Sequence, residues 1–482
     1  MGNYTIQSTA LNKNRVFILQ KSELEKRLDP FYYVPELLEL EKKVLAKEPK
    51  KLRDYVVGIS SGATPKTTES EKYYSEKENG IPFLRVQNLS PTGILEFDDC
   101  KYINEETHNG MLKRSQVKEG DLLVKITGVG RMAVASVAPE GFEGNINQHV
   151  CVIRTGNKEI SETLAAFLNT DIGEKLASRR ATGGTRPALD YPALLSIPII
   201  EDKRILEITS KVVEQKKQNE AEAEKLLAEI DNFLMEHLQI ALPEKSENNL
   251  KDRIFTTTLK KITGQRFDPT FHRVNYENFI NSILSSPFPA KKLKDIILFL
   301  DYGLMPTQDY AFTENEGLPM IRVTNIMKDG YINMDKVEYI KFDTPKLQNK
   351  LVQENDILMV QCGNTTGKCA MVTKEFVGYT YGSFSFAIRA NPKIINQHFL
   401  FYLLNSKVVQ EQLNRSITIT SVRPNTSKPE VENFLIPVPP LNKQIEIAEQ
   451  ITGIRQQAQQ LKDKTNEALK KASEEIEKIL LA

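Results

Sequence analysis

Three features that would place a chain in a membrane or outside the cell are missing from this sequence. No apolar run approaches the roughly 18 residues that a membrane-spanning helix requires. The first residues, MGNYTIQSTALNKNR, lack the basic-then-apolar layout of a signal peptide. The four cysteines stand apart, without a C-x-x-C pair, and this usage is typical of a reducing compartment. We therefore expect a cytoplasmic chain with no membrane partner.

The sequence also lacks an excess of charge of either sign. Its 64 Lys and Arg residues nearly balance 63 Asp and Glu residues, for a formal net charge of +1. A strongly basic chain would indicate a nucleic-acid partner. In this chain, a surface that binds nucleic acid would have to come from basic residues clustered locally. Hydrophobic residues make up 40% and charged residues 26%, as in folded globular proteins. A length of 482 residues predicts about two to four domains.

The motifs of common catalytic sites are incomplete. Gly363–Cys369 resembles a phosphate-binding loop, but it is one residue short between the glycines and has Cys369 where Ser or Thr would hold magnesium. Strand-like runs on both sides predict a β-hairpin turn instead. Asp29-Pro30-Phe31-Tyr32 lacks the second proline of the D-P-P-Y box of adenine methyltransferases and is expected to open a helix.

Two other residue patterns that catalytic or metal sites use are also unconvincing. Glu39–Lys42, which could mimic the E-x-K motif of nucleases, is expected to be a solvated helix face. The five histidines have no ligand spacing with each other or with cysteine. We predict no catalytic residue, no metal site and no cofactor bound by this chain.

The chain instead repeats itself once. The segment GIPFLRVQN (80–88) returns as GLPMIRVTN (317–325), with five identities in nine positions. Partner segments keep their order and lie 235 to 241 residues apart over the whole length. A period this long indicates the duplication of a whole domain unit, because solenoid repeats are far shorter. Further pairs are VKEGDLLV (117–124) with VQENDILM (352–359), and LLSIPII (194–200) with NFLIPVP (433–439).

Each copy is predicted to contain a mixed α/β globule followed by a long helix, so the fold class is α+β. Short runs such as DLLVKIT (121–127) and FSFAIR (384–389), bounded by turn residues, predict strands. Helical patterns such as 161–178 and 397–413 lie between them. The predicted division is an N-terminal segment (1–27), a first globule (28–200), a central helix (201–240), a linker (241–266), a second globule (267–440) and a C-terminal helix (441–482).

The two long helices carry a narrow heptad stripe, which predicts that they pair as an antiparallel coiled coil. Two separate amphipathic helices, each packed on its own globule, are the alternative. The predicted seam of the later helix is Ile447, Ile451, Ile454, Ala458, Leu461, Thr465, Ala468 and Ala472. The same register places Ile208, Val212, Gln215, Asn219, Leu226 and Phe233 on the earlier helix.

Polar loops of both globules carry residue types that bind DNA. Arginines and backbone N–H groups can neutralise phosphates, arginine can pair with guanine, and glutamine such as Gln361 suits adenine. Positions that differ between the copies, such as Gln87 and Thr324, favour sequence reading, whereas shared ones favour a structural or phosphate role. An ordinary surface residue remains the alternative at each position. The candidates are Arg85, Gln87, Asn88, Lys125, Arg131, Arg179, Arg180, Thr185 and Arg186 in the first copy, and Arg322, Thr324, Asn325, Gln361, Lys368, Arg415, Arg423 and Asn425 in the second.

This layout resembles the specificity subunits of Type I restriction–modification systems, the HsdS family, over nearly the whole chain. The resemblance depends on the duplicated G-[IL]-P-x-[LI]-R-V-x-N segment, the [EN]-D-[IL]-L segment and a proline-rich exit into a long helix. Residues 437–444 (PVPPLNKQ) are close to the family's P-x-P-P-L-x-x-Q signature. The first copy, at 198–204, lacks the double proline and the glutamine, which leaves the start of its helix open.

The resemblance implies a non-catalytic subunit with two target-recognition domains. Each domain would read one half of an asymmetric, bipartite site in double-stranded DNA, and the helices would set the spacer between the halves. Two modification subunits would dock around the helices and bring S-adenosylmethionine for adenine methylation. Motor–nuclease subunits would join for restriction, and the complex would work in the cytoplasm of a prokaryote.

Three other functions stay open from the sequence. The first is the recognition subunit of a Type IIB or IIG-like restriction–modification system, in which one partner chain both cleaves and methylates. The second is a methyltransferase or nuclease that acts alone, which S-adenosylmethionine binding by the isolated chain would favour. The third is a coiled-coil scaffold without a DNA role.

Overall fold

The protein is described by a computed structural model that covers residues 12–25, 27–241, 254–263, 267, 269–306, 308–327, 329–417 and 424–482. The chain divides into two compact units. Unit 1 comprises residues 1–220 and 462–482, and unit 2 comprises residues 221–461. Residues 242–253 and 264–266 of the predicted linker lie outside the described residues.

The described residues form both helices and short strands, in the α+β class that the sequence predicts. The helices are α1 (Pro35–Leu45), α2 (Ser70–Tyr73), α3 (Glu105–Asn109), α4 (Lys158–Leu168), α5 (Asp171–Arg180), α6 (Tyr191–Leu195), α7 (Lys203–Leu238), α8 (Leu259–Ile262), α9 (Val274–Leu284), α10 (Gln397–Asn405), α11 (Lys407–Ser416), α12 (Lys428–Glu432) and α13 (Leu441–Leu481).

Within the described ranges the strands fall into two sets of ten. The first set is β1 (Lys50–Lys51), β2 (Gly58–Ser61), β3 (Ile81–Leu84), β4 (Lys101–Ile103), β5 (Gln116–Lys118), β6 (Leu122–Lys125), β7 (Ala135–Val137), β8 (Glu143–Ile146), β9 (Val150–Arg154) and β10 (Pro198–Ile199). The second is β11 (Ala290–Lys292), β12 (Ile297–Tyr302), β13 (Tyr310–Ala311), β14 (Gly317–Ile321), β15 (Glu338–Lys341), β16 (Ile357–Val360), β17 (Cys369–Met371), β18 (Thr380–Tyr381), β19 (Ser385–Ala390) and β20 (Leu435–Pro437).

The duplication predicted from the sequence is present in the sheet topology. A four-stranded sheet has the order β2-β9-β6-β7 in unit 1 and β12-β19-β16-β17 in unit 2. A second sheet has β4-β3-β8 in unit 1 and β15-β14-β18 in unit 2, with different edge strands, and β3–β8 and β14–β18 are parallel pairs. Two-stranded pairs, β1 with β10 and β11 with β20, join the start of each globule to its end.

The first sheet of unit 1 is buried on both faces, which explains its nearly continuous apolar sequence. Leu122 and Val124 of β6 pack with helices α4 and α5. Leu123, which points to the opposite face because strand side chains alternate, packs against the second sheet. The same alternation occurs in unit 2, where Ile357 packs with the helices and Leu358 with the second sheet.

Each of the two long helices contributes one segment to each unit. In unit 1, Ile205 of α7 and Ile476 of α13 are buried in the same apolar cluster, and Asn219 Nδ2 donates to Thr465 Oγ1 at 2.9 Å. In unit 2, Leu234 of α7 and Ile451 of α13 share one cluster. These contacts bury one stripe of each helix within each unit.

The predicted heptad stripe needs one change on α7. All eight seam residues of α13 and the other five of α7 are buried or half-buried, but Gln215 is exposed. Lys216 lies on the stripe instead, with a side chain that is 17% exposed and a 3.5 Å ion pair with Glu96. The stripe therefore shifts by one residue at the polar centre of α7, where no apolar side chain fixes the heptad register.

Three predicted helices differ in their bounds. Segment 161–178 forms two helices, α4 and α5, because Thr170 caps the second one by accepting from the Gly173 amide at 2.9 Å. Segment 397–413 is likewise divided at Ser406, between α10 and α11. Asp29-Pro30 opens a short 3₁₀ turn over Pro30–Tyr33 rather than α1, which begins at Pro35.

Candidate nucleic-acid interface

Several loops of unit 1 emerge at one end of its first sheet. Strand β2 ends at Ser61 and β6 ends at Lys125, and these residues pair with Cys151 and Val150 at the start of β9. The loops that follow β2, precede β9 and connect β6 to β7 are therefore neighbours. We call this end, with the loop that follows α5, loop face 1; it comprises residues 62–68, 126–134, 147–149 and 181–188.

The β6–β7 connection is a hairpin turn held against the loop after α5. Gly128, with a φ of +128°, donates its amide to the Pro187 carbonyl at 3.0 Å. A residue with a side chain is strained at this φ, so glycine permits the turn. Thr127 and Ala188 form an isolated antiparallel bridge beside this hydrogen bond.

Unit 2 repeats this arrangement. Gly363 has a φ of +116° and donates its amide to the Pro424 carbonyl at 3.0 Å, as Gly128 does to Pro187. The phosphate-loop-like segment is thus a hairpin connection between the antiparallel strands β16 and β17, as predicted. We call this end loop face 2; it comprises residues 303–306, 361–368, 382–384 and 424–426. Arg423, a predicted DNA contact, lies outside the described residues.

Arg179 and Arg180, which the sequence offered as DNA contacts, are buried in unit 1. Their side chains are 3% and 9% exposed, and both pair with the carboxylate of Glu41, whose side chain is 12% exposed. Arg179 also donates to the Tyr32 carbonyl at 2.7 Å and lies 3.9 Å above the Tyr32 ring. Burial lowers the pKa of both guanidinium groups. The prediction is corrected: both residues attach α5 to α1.

Arg415 occupies the equivalent position in unit 2 and is corrected in the same way. Its Nε donates to the Phe271 carbonyl at 2.8 Å, and its guanidinium lies 4.1 Å from the centre of the Phe271 ring. Burial lowers its pKa as well. The repeated Arg-on-aromatic contact is therefore part of the scaffold. Glu41, predicted to lie on a solvated helix face, is likewise a structural partner, whereas Glu39 and Lys42 are exposed.

Lys125 is committed to the hairpin of loop face 1. It is 4% exposed and donates from Nζ to the Val129 carbonyl at 2.7 Å, and burial lowers its pKa. Arg131 attaches the same hairpin to the α4–α5 junction through Asp171 Oδ1 at 2.6 Å and the Asn169 carbonyl at 2.8 Å. Lys125 is withdrawn as a DNA contact, and Arg131 has a structural role.

The shared asparagines of the best-matched motif are turn-forming residues. Asn88 accepts from the Arg85 amide at 2.9 Å and donates to a backbone carbonyl at 2.9 Å, while being 1% exposed. Asn325 accepts from the Arg322 amide at 2.9 Å, donates to a carbonyl at 2.8 Å and is 4% exposed. Both are corrected from DNA contacts to internal caps, in line with the structural role that shared positions favour.

The residues beside these asparagines bind acidic partners. Arg85 pairs with Asp99 at 3.1 Å, and Arg322 pairs with Glu338. Gln87 donates to Asp99 at 3.1 Å, and this hydrogen bond, with the charge of Arg85, lowers the pKa of Asp99. Gln87 and its counterpart Thr324 are exposed, but neither belongs to a loop face.

Gln361 and Asn425 hold loop face 2 together. Gln361 Nε2 donates to the Thr426 carbonyl at 2.8 Å, and Asn425 forms an isolated bridge with Cys362. This hydrogen bond uses one of the two N–H groups of the Gln361 amide, so the reading of adenine by Gln361 stays a prediction. Lys368 is half-buried in the same hairpin.

The exposed candidates that remain on loop face 1 are Thr185 and Arg186. Sequence reasoning missed two further segments, one after β2 and one before β9, together with their counterparts in unit 2. A repeated signal marks them: Gly62-Ala-Thr-Pro65 returns as Gly303-Leu-Met-Pro306. A Cβ on Gly62 would lie 1.7 Å from the Ile146 carbonyl oxygen, so only glycine permits this approach.

The geometry defines a class of protein with two similar loop-bearing globules and two long helices. Residues 286–471 match the Type I restriction modification DNA specificity domain. The chain is 22% identical over 433 residues to the Type I restriction enzyme EcoBI specificity subunit of Escherichia coli, covering 89% of this chain and 83% of that protein. The chain is thus similar to Type I restriction–modification specificity subunits, in its second copy by the family model and over most of its length by this relative.

Two solved structures are also similar to this chain. The HsdS subunit of Thermoanaerobacter tengcongensis is 16% identical, with 90% of this chain and 94% of that chain covered and a TM-score of 0.33. The Type I S subunit of M. genitalium is 12% identical, with 90% and 94% covered and a TM-score of 0.38. No helix within the described ranges is both long and apolar enough to cross a membrane.

Proposed function

We propose that this chain is the sequence-reading subunit of a Type I restriction–modification complex and that each loop face reads one half of a bipartite DNA site. The observation that carries the proposal is a scaffold built twice with different exposed side chains. The amide-to-proline hydrogen bond at Gly128 and at Gly363 supports an equivalent presentation of both loop faces. Two equivalent faces with different chemistry suit a site with two different halves.

The reading chemistry on loop face 1 is polar and cationic. Arg186 and Lys66 are exposed there, and the Thr182–Thr185 segment offers hydroxyl groups and glycine amides. Contacts from these groups to phosphates would position the DNA. Other side chains of the same loop face would read the base edges. The balanced net charge is compatible with this role, because many of the other arginines are neutralised internally by carboxylates.

The two long helices would hold the reading domains apart as a coiled coil. In unit 1, Ile205 near the start of α7 shares an apolar cluster with Ile476 near the end of α13. In unit 2, Leu234 near the end of α7 shares a cluster with Ile451 in the first half of α13, and together these contacts support antiparallel pairing. A helix of 36 residues is about 54 Å long at 1.5 Å per residue. That length is close to about 16 base-pair steps of 3.4 Å and would set the unread spacer.

The catalytic work would belong to partner subunits. Two modification subunits would dock on the helices, bind S-adenosylmethionine and methylate adenine, and motor–nuclease subunits would add restriction in the cytoplasm. We place the reading domains at residues 28–200 and 267–440, because the β1–β10 and β11–β20 pairs each join the start of a globule to its end.

The test is co-expression with the methyltransferase encoded beside it, followed by single-molecule sequencing of methylated adenines in the host DNA. One asymmetric motif in two blocks with a fixed gap is expected. Absence of a bipartite motif, from a pair that co-purifies, would refute the proposal. A purified complex in which the methyltransferase chain also cleaves DNA would instead assign the chain to a Type II-like system.

A further inference from the structure

The two loop faces present opposite chemistry at equivalent backbone positions. The amide of Ile126 donates to the His149 carbonyl at 2.9 Å, and the amide of Gln361 donates to the Phe384 carbonyl at 2.7 Å. These hydrogen bonds make His149 and Phe384 structural equivalents. The G-x-x-P segments make Thr64 the equivalent of Met305.

The side chains at these positions are polar on loop face 1 and apolar on loop face 2. On loop face 1, the hydroxyl of Thr64 donates to the side-chain oxygen Oε1 of Gln148, the residue before His149. On loop face 2, Met305 is 71% exposed and Phe384 is 51% exposed. Single exposed apolar residues are common, and Val129 is one in the hairpin of loop face 1, but here two lie at positions where the duplicated copy has polar residues.

Met305 and Phe384 each follow a residue whose backbone is hydrogen-bonded to the neighbouring segment. The Ser383 amide donates to the Leu304 carbonyl at 2.8 Å, and the Leu304 amide donates to the Tyr381 carbonyl at 2.7 Å. These bonds join the segment after β12 to the segment before β19, so the residues that follow Leu304 and Ser383 lie on adjoining segments. Side chains on a fixed backbone suit selective contact better than those on a mobile loop, because less freedom is lost on binding.

We propose that Met305 and Phe384 read thymine in the half-site bound by unit 2, by packing against its C5-methyl group in the major groove. Thymine is the base that presents a methyl group there, and apolar side chains discriminate it by contact rather than by hydrogen bonds. The inference rests on the proposed function and deepens it. Loop face 1 would read its half-site with hydrogen-bonding groups at the same backbone positions.

The experiment uses the purified complex and the DNA motif found by sequencing. The thymines of each half-site are replaced one at a time by deoxyuridine, which removes only the methyl group. The affinity of the complex for each modified DNA is measured by competition. In the block read by unit 2, at least one replacement should weaken binding roughly fourfold, the effect of losing one buried methyl-sized group. Replacements in the other block serve as the matched DNA control.

The protein variant transplants the residues of the first copy. Met305→Thr combined with Phe384→His should make the complex bind thymine- and uracil-containing sites equally. Phe312→Ala is the matched control, because Phe312 is 94% exposed in unit 2 but lies in the β13–β14 connection, outside the residues of loop face 2. It should keep the thymine preference.

Two results would overturn the inference. The first is a wild-type complex whose affinity no uracil replacement in the block read by unit 2 changes, or a block that contains no thymine. Either finding contradicts methyl reading and leaves the bipartite function intact. A double variant that keeps the thymine preference assigns the reading to other residues. Absence of any bipartite motif refutes the proposed function itself and, with it, this inference.

Discussion

Glu41→Gln tests the internal role of the arginines that the sequence offered as DNA contacts. Glu41 is the carboxylate partner of both Arg179 and Arg180, and all three side chains are at most 12% exposed. Removing one partner from a buried ion pair costs about 3–5 kcal/mol, because the remaining charge stays desolvated. The substitution keeps the shape of the side chain and removes its charge. We expect unit 1 to lose about 3 kcal/mol of unfolding free energy.

The matched control lies on the same helix. Glu36 pairs with Lys175 at 3.3 Å, but its side chain is 56% exposed. Surface pairs of this kind contribute about 0–1 kcal/mol, so Glu36→Gln should have little effect. For a unit of 150–250 residues, a loss of about 3 kcal/mol corresponds to a melting temperature lower by roughly 6–12 °C.

The assay must report on unit 1 separately. The chain contains no tryptophan, so hydrogen-exchange mass spectrometry of peptides from α1 and α5 is the appropriate readout. Those peptides should exchange much faster in Glu41→Gln, while peptides of unit 2 remain unchanged. Equal, small effects of Glu41→Gln and Glu36→Gln would refute the reasoning and return Arg179 and Arg180 to the set of candidate DNA contacts.

Three further predictions concern the DNA surface, the helices and a buried thiol. Arg186→Ala should weaken DNA binding and reduce the slope of log affinity against log salt by about 0.9. Arg53→Ala, at the other end of β2, is the control and should leave the affinity and the slope unchanged. Equal slopes for Arg186→Ala and the wild type would exclude a phosphate contact by Arg186. A double-mutant cycle of Asn219→Ala and Thr465→Ala, followed by chemical denaturation, should give about 0.5–1.5 kcal/mol of coupling, and zero coupling would contradict the helix contact. Burial raises the pKa of Cys151 to about 12, so its contribution to stability is complete below pH 9 and is lost as the pH rises toward 12. Thiol trapping with mass spectrometry should find Cys151 unmodified at pH 8 in the folded chain, and rapid native labelling would contradict its burial.

The architecture was predictable because it depends on patterns that are local or that occur twice. The apolar runs of β6 and β16 are bounded by turn residues in both copies, and both are strands. The long helices follow from extended apolar periodicity, and α7 and α13 lie within the predicted segments. Register was less certain at the polar centre of α7, where Lys216 replaces Gln215 on the buried stripe.

The candidate DNA contacts were less predictable, because burial of a charged residue depends on partners far away in the chain. Arg179 and Arg180 end helix α5 and precede a Gly/Thr loop, a local context typical of DNA contacts. Their partner Glu41 lies on α1, more than a hundred residues earlier. The segment after β2 was missed because its position on loop face 1 depends on which strand ends meet in the folded sheet. In the sequence, the repeated G-x-x-P pattern is the signal that marks this segment.

The central claim is that two loop faces on one chain read two separate blocks of DNA. The most direct measurement replaces residues 28–200 with the matching domain of another specificity subunit and sequences methylated adenines genome-wide. The account predicts a new motif in which one block changes, while the other block and the gap stay as they were. A change in both blocks, or in neither while methylation persists, would contradict it.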